Sequence, residues 1–139
     1  NITVDVTLDD DARRLTGDRD KILQVLSNLV QNASQYTPDG GRFRVGATHE
    51  NGAVQIRFTN TCAGITDADL PLIFERFHRL DPSRSRDTGG AGIGLSIVKQ
   101  LTEAHGGKAT VAVNDTDISF TVTFPDNGPA TGPQSLQNL

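Results

Sequence analysis

A single cysteine, no methionine, no tryptophan and one tyrosine are found among the 139 residues of this chain. With only Cys62, no internal disulfide can form, and a reducing compartment is the default. No run approaches the ~20 apolar residues of a membrane-spanning helix, and no segment reads as a signal peptide. The lack of methionine, at the first position and everywhere else, reads as a piece of a longer protein. The chain is also short of positive charge. Its net charge of −4 argues against a nucleic-acid-binding or anionic-lipid-binding surface. One stretch departs from this balance. Arg76, Arg79, Arg84 and Arg86 lie close together, with Asp81 the only acid among them. A local basic stretch on an acidic domain suits a small anion better than a polyanion.

The length fits one domain with a modest core. Ile2, Val4, Val6 and Leu8 alternate with polar residues and predict an amphipathic strand. Asp9–Asp11 reads as a turn, and Arg13–Thr16 as a short returning strand. From Asp18 to Tyr36 the apolar period becomes helical. Ile22, Leu23, Val25, Leu26, Leu29, Val30 and Ala33 form one arc on a 3.6-residue wheel. Thr37-Pro38-Asp39-Gly40-Gly41 ends that helix. Two alternating runs around Asn51-Gly52 predict a hairpin. Thr66 and Asp69 resemble a capping box that opens a short helix through Phe74. A further helix runs from Leu95 to about His105 and stops at Gly106-Gly107. A second hairpin turns at Asn114–Asp117. The expected fold is α+β, an α/β sandwich with a mostly antiparallel sheet of about five strands and three helices on one face. It occupies residues 1–125, and residues 126–139 read as a disordered tail.

Two segments carry chemistry. Gly89, Gly90, Gly92 and Gly94 precede the last helix. The spacing is neither that of a P-loop, since Leu95 stands where Lys would be needed, nor that of a dinucleotide fingerprint. What remains is a glycine-rich entry to a helix N-terminus, where free amides attract phosphate. A flexible loop ending in a helix cap would have the same composition. The other segment is on the first helix. Asn28 and Asn32 lie one turn apart, although asparagine disfavours helix interiors by a few tenths of a kcal/mol. With Tyr36 they line one edge of the apolar arc, where an amide can face either a pocket or solvent.

Together these segments resemble a known family. "QVLSNLVQNASQYT" resembles the N box of sensor histidine kinases, "NTCAGI" stands at the G1 box, "IFERF" resembles the F box, and "GGAGIGLSIVKQLTEAHGG" resembles the G2 box with its helix. The four occur in family order, and the resemblance covers about residues 2–125. It implies the ATP-binding catalytic domain of a two-component sensor kinase, with the Bergerat sandwich shared by gyrase, Hsp90 and MutL proteins. It further implies ATP and Mg²⁺ as cofactors, with Asn32 as the metal ligand and Asn28 beside it supporting the phosphates. Tyr36 is expected against adenine, Asn60 on the base edge, and Gly64 and Ile65 close to the base. The segment from Arg76 to Asp87 is expected to be the ATP lid. Gly90, Gly92, Gly94 and Leu95 are expected at the triphosphate and Arg79 at the γ-phosphate, with Arg84 and Arg86 as alternatives.

Three positions depart from the family pattern. Gln35 stands where lysine is usual, Asn60 where aspartate is usual, and Cys62 where glycine is usual. Asn60 can still accept from the adenine amino group and donate to a ring nitrogen. His49, His78 and His105 lack the context of a phosphoacceptor. The resemblance therefore implies that the acceptor lies on a separate helical dimerisation domain, that a response regulator is the onward partner, and that the whole protein is a homodimer. It places this part in the cytoplasm, on a membrane-anchored protein. A degenerate module that binds partners but little nucleotide, or another Bergerat ATPase or serine kinase, are the competing readings.

Overall fold

The computed structural model describes residues 1–12, 14–62, 67–75, 94–114 and 116–126. Five strands form one sheet: β1 (Thr3–Leu8), β2 (Arg42–Glu50), β3 (Ala53–Thr61), β4 (Lys108–Val113) and β5 (Asp117–Pro125), in the order β1-β2-β3-β5-β4. Two α-helices are described, α1 (Arg19–Tyr36) and α2 (Gly94–Ala104). β1 and β2 are parallel, and the other three pairings are antiparallel. A parallel neighbour requires a crossover, and here the crossover contains α1.

The sheet has one apolar face, and the register shows why. Val45, Phe58, Phe120 and Val111 lie across from one another in one row, and Ala47, Ile56, Val122 and Ala109 in the next. Period-two alternation in every strand thus places the apolar set on a single side. Val25, Leu29 and Ala33 of α1 and Val98 of α2 join these residues in one buried cluster. The hairpin at Asn51-Gly52 forms as expected, with Asn51 at φ 53°.

Both helices end where their sequences dictate. Asp18 caps α1, its carboxylate accepting from the Lys21 amide at 3.1 Å. At the other end the Thr37 hydroxyl donates to the Ala33 carbonyl at 2.5 Å, before Pro38. α2 closes with the Gly106 amide on the Glu103 carbonyl at 2.9 Å and the Gly107 amide on the Thr102 carbonyl at 3.0 Å, with Gly106 at φ 77°. This is a Schellman closure, which favours glycine at the left-handed position. Gly107 has a separate constraint: a Cβ there would collide with the Thr123 carbonyl oxygen.

The expected α+β sandwich is present, with two local corrections. Arg14–Thr16 forms no strand; the chain instead makes a 3-10 turn at Asp10–Ala12 that buries Ala12. Ala12 and Leu15 pack into the core instead, which takes the chain off the sheet before it could return along the outer edge of β1. The expected third helix is a 3-10 segment, Asp67–Leu72, among the described residues. Pro71 within it has no amide to donate to an i−4 carbonyl, which disfavours an α-helical turn. The expected amphipathic strand is β1, whose Val4, Val6 and Leu8 share the core face in register with β2 but are 47–63% exposed, because β1 is the edge strand and the described helices do not cover it.

Candidate functional site

Asn28, Asn32 and Tyr36 recur every four residues along α1 and so form one stripe about 12 Å long. All three are half-buried. Their neighbours Val25, Leu29 and Ala33 are at most 2% exposed, so the stripe borders the core. The Asn28 side-chain amide donates to the Gly94 carbonyl at 3.3 Å. That bond places the first residue of α2 beside the first residue of the stripe. Leu95 follows, half-buried against the core.

The opposite end of the stripe lies near the end of β3. A Cβ on Gly41 would lie 2.8 Å from Thr37 Cγ2 and 3.3 Å from Thr61 Cβ, so the C-terminus of α1 and the last residue of β3 meet there. Asn60 precedes Thr61. It sits in the apolar row between Phe43 and Ile118 and is 2% exposed. A side-chain amide buried in a hydrocarbon row is costly unless it is hydrogen-bonded. Its Nδ2 donates to the Thr61 carbonyl at 3.0 Å. No fold requirement explains an asparagine there, since the rest of its row is apolar.

These residues form a polar track along one edge of the core: Gly94 and Asn28 at one end, Asn32 between, Tyr36 and Asn60 at the other. Gln35 is half-buried next to Tyr36. Cys62 packs against the core, and its amide donates to the Thr116 carbonyl at 2.8 Å. Phe74 meets Phe120 edge-on, with ring centroids 6.0 Å apart, and so serves as a packing residue. Gly64, Ile65, Arg79, Gly90 and Gly92 lie outside the described residues, as do Arg76, Arg84, Arg86, Phe77 and His78. Among the described residues, no three acidic, histidine or cysteine side chains cluster to hold a metal. A depression of about 310 Å³ lies on the opposite, polar face of the sheet, where Arg44 and Arg57 flank Gly46. None of the sequence-predicted residues lines it.

The family described as "Histidine kinase-, DNA gyrase B-, and HSP90-like ATPase" matches residues 17–128. The chain belongs to this family, among its sensor histidine kinase catalytic domains. The signal transduction histidine-protein kinase BaeS of Escherichia coli strain K12 is 36% identical over 116 residues, which is 83% of this chain and 25% of BaeS. The sensor protein VanS of Enterococcus faecium is 40% identical over 111 residues, 80% of this chain and 29% of VanS. The kinase domain described here therefore spans about a quarter of the length of these relatives. Among solved structures, the catalytic domain of histidine kinase ThkA superposes with a TM-score of 0.77 at 29% identity, over 90% of this chain and 79% of that one. ThkA has also been solved in complex with the response regulator protein TrrA, and that structure matches with a TM-score of 0.73 at 26% identity, over 90% of this chain and 34% of that one. The kinase domain is an ATP-binding catalytic domain, and none of its described helices is long and apolar enough to cross a membrane.

Proposed function

We propose that this domain binds Mg-ATP along the α1 stripe and donates the γ-phosphoryl group to a histidine on a separate helical dimerisation domain. The triphosphate lies at the Asn28–Gly94 end and adenine at the Tyr36–Asn60 end. The observation that carries this reading is Asn60, a buried amide in an apolar row, at the end of the stripe opposite the helix N-terminus. An amide can accept from the adenine amino group and donate to a ring nitrogen.

The donor set fits a metal delivered with its nucleotide. Mg²⁺ takes few protein oxygens and completes its shell with water and phosphate. The Asn32 side-chain oxygen is the proposed ligand, with Asn28 beside it held by the Gly94 carbonyl. When bound, the ion neutralises phosphate charge. The amides at the start of α2 add positive potential at the same end. The proposed contacts also include Gly90 and Gly92 for the triphosphate, Gly64 and Ile65 for the base, and Arg79 for the charge on the transferring group. In the transfer, an imidazole nitrogen of the acceptor bonds to the γ-phosphorus, the bond to the β–γ bridging oxygen breaks, and ADP leaves. The phosphoryl group passes on to a response regulator, as suggested by the ThkA–TrrA complex. The domain forms residues 1–125 of this chain, with a C-terminal tail, on the cytoplasmic side of a membrane-anchored homodimer.

Two assays test this. Calorimetric titration with Mg-ATP is expected to give saturable heat; no heat at millimolar nucleotide favours a partner-binding module without nucleotide. Mixing the domain with a helical acceptor domain and labelled ATP is expected to give acid-labile, base-stable phosphate on the acceptor. Acid-stable label would indicate serine phosphorylation.

A further inference from the structure

His105 closes α2 and is 7% exposed, away from the α1 stripe. Both ring nitrogens are bonded. Nδ1 lies 2.8 Å from the Leu101 carbonyl oxygen, and Nε2 accepts from the Asp18 backbone amide at 3.0 Å. A carbonyl can only accept and an amide can only donate, so the ring is neutral, with its proton on Nδ1. The Asp18 amide belongs to the residue that caps α1 and has no partner within that helix. The ring is confined: Phe124 meets it edge-on at 5.9 Å, and a Cβ on Gly17 would lie 2.5 Å from its Cδ2.

The imidazole thus ties the start of α1 to the end of α2. The second tie, from Asn28 to the Gly94 carbonyl, joins the middle of α1 to the start of α2 at 3.3 Å. Asp18 and Asn28 are about 15 Å apart along α1, and Gly94 and His105 about 16 Å apart along α2. The helices are therefore antiparallel, with one polar tie near each end of their contact. Between the ties the contact is apolar, with Val25 and Val98 both at 0% exposure. Apolar contact is non-directional, so it resists separation more than sliding. Directional bonds fix the register, and the buried His105 bonds are the shorter set.

We propose that His105 is a positioning residue, a neutral Nδ1–H imidazole that sets the register of α1 against α2 and so holds Asn28 and Asn32 opposite the α2 N-terminus. This rests on the nucleotide reading given above, and it adds a residue about 16 Å from the phosphate end to the determinants of affinity.

Two substitutions separate the halves of the tie. His105→Gln keeps an acceptor near the Nε2 position for the Asp18 amide. His105→Asn keeps a donor near Nδ1 for the Leu101 carbonyl and leaves the Asp18 amide unpaired. Mg-ATP affinity by calorimetry is expected to stay within about two-fold in His105→Gln and to fall about ten-fold in His105→Asn. Hydrogen exchange at the Asp18 amide is expected to be slow in the wild-type chain and in His105→Gln, and about ten-fold faster or more in His105→Asn. Equal affinities for the two variants, or unchanged affinity in His105→Asn, would overturn the proposal. Imidazole nitrogen NMR on the wild-type chain decides the case if a variant does not fold: an Nδ1–H tautomer with a protected Asp18 amide supports the tie, and an Nε2–H tautomer sinks it. A wild-type chain that gives no heat with Mg-ATP removes the nucleotide reading and the link to affinity, whereas the exchange and tautomer measurements judge the tie without nucleotide.

Discussion

Asparagine at positions 28 and 32 costs α1 a few tenths of a kcal/mol each relative to alanine, and no core contact requires it. Asn32→Ala is therefore expected to weaken Mg-ATP binding about ten-fold or more by calorimetry, while stability stays within about 0.5 kcal/mol in a urea melt. A collapsed melt would mean that Asn32 holds the fold. Asn60 offers a sharper contrast, because its row is hydrocarbon on both sides. Asn60→Leu is expected to leave stability unchanged or raised and to abolish nucleotide binding, since it removes a buried amide along with its hydrogen-bonding groups. Much of the candidate stripe was legible in sequence. Asn28, Asn32 and Tyr36 betray themselves by helical spacing at the edge of an apolar arc. The partner of Asn28 was not legible, because a backbone carbonyl 66 residues away leaves no mark in composition. Nor was the role of His105, whose two partners are backbone groups as well.

Elements were easiest to read where period and punctuation agreed. α1 runs from its Asp18 cap to the stop at Thr37-Pro38, and the two hairpins turn where Asn51-Gly52 and Asn114–Asp117 place them. Reading failed where a short segment's fate depends on distant packing. Arg14–Thr16 could alternate as a strand, but Ala12 and Leu15 are drawn into the core. β1 reads as an amphipathic strand, yet its apolar residues stay exposed because exposure depends on which elements cover the edge. Energies follow the same division. Leu29→Ala, at 1% exposure between helix and sheet, is expected to cost 2–5 kcal/mol by denaturant melt. Val6→Thr, at 63% exposure, is expected to change stability by no more than about 0.5 kcal/mol. Gly107→Ala forces a methyl group into the Thr123 carbonyl and is expected to cost more than either, read as a loss of cooperative unfolding or of soluble protein.

For the whole molecule, the sheet supplies a rigid floor and the antiparallel helices supply the two walls that bear the amides. Nucleotide that binds only this arrangement must stabilise it by mass action. Mg-ATP at a hundred times its Kd is expected to raise the unfolding free energy by about 2.7 kcal/mol, which a thermal scan would register as a concentration-dependent rise in Tm. ATP without Mg²⁺ is expected to give a smaller rise, because the ligand proposed at the Asn32 oxygen is then missing. A crystal structure of the domain with Mg²⁺ and a non-hydrolysable ATP analogue would locate the nucleotide. Adenine is expected against Tyr36 with its edge on Asn60, the metal on the Asn32 oxygen, and the phosphates at the start of α2. A purine bound elsewhere, such as on the polar face beside Arg44 and Arg57, would contradict this placement.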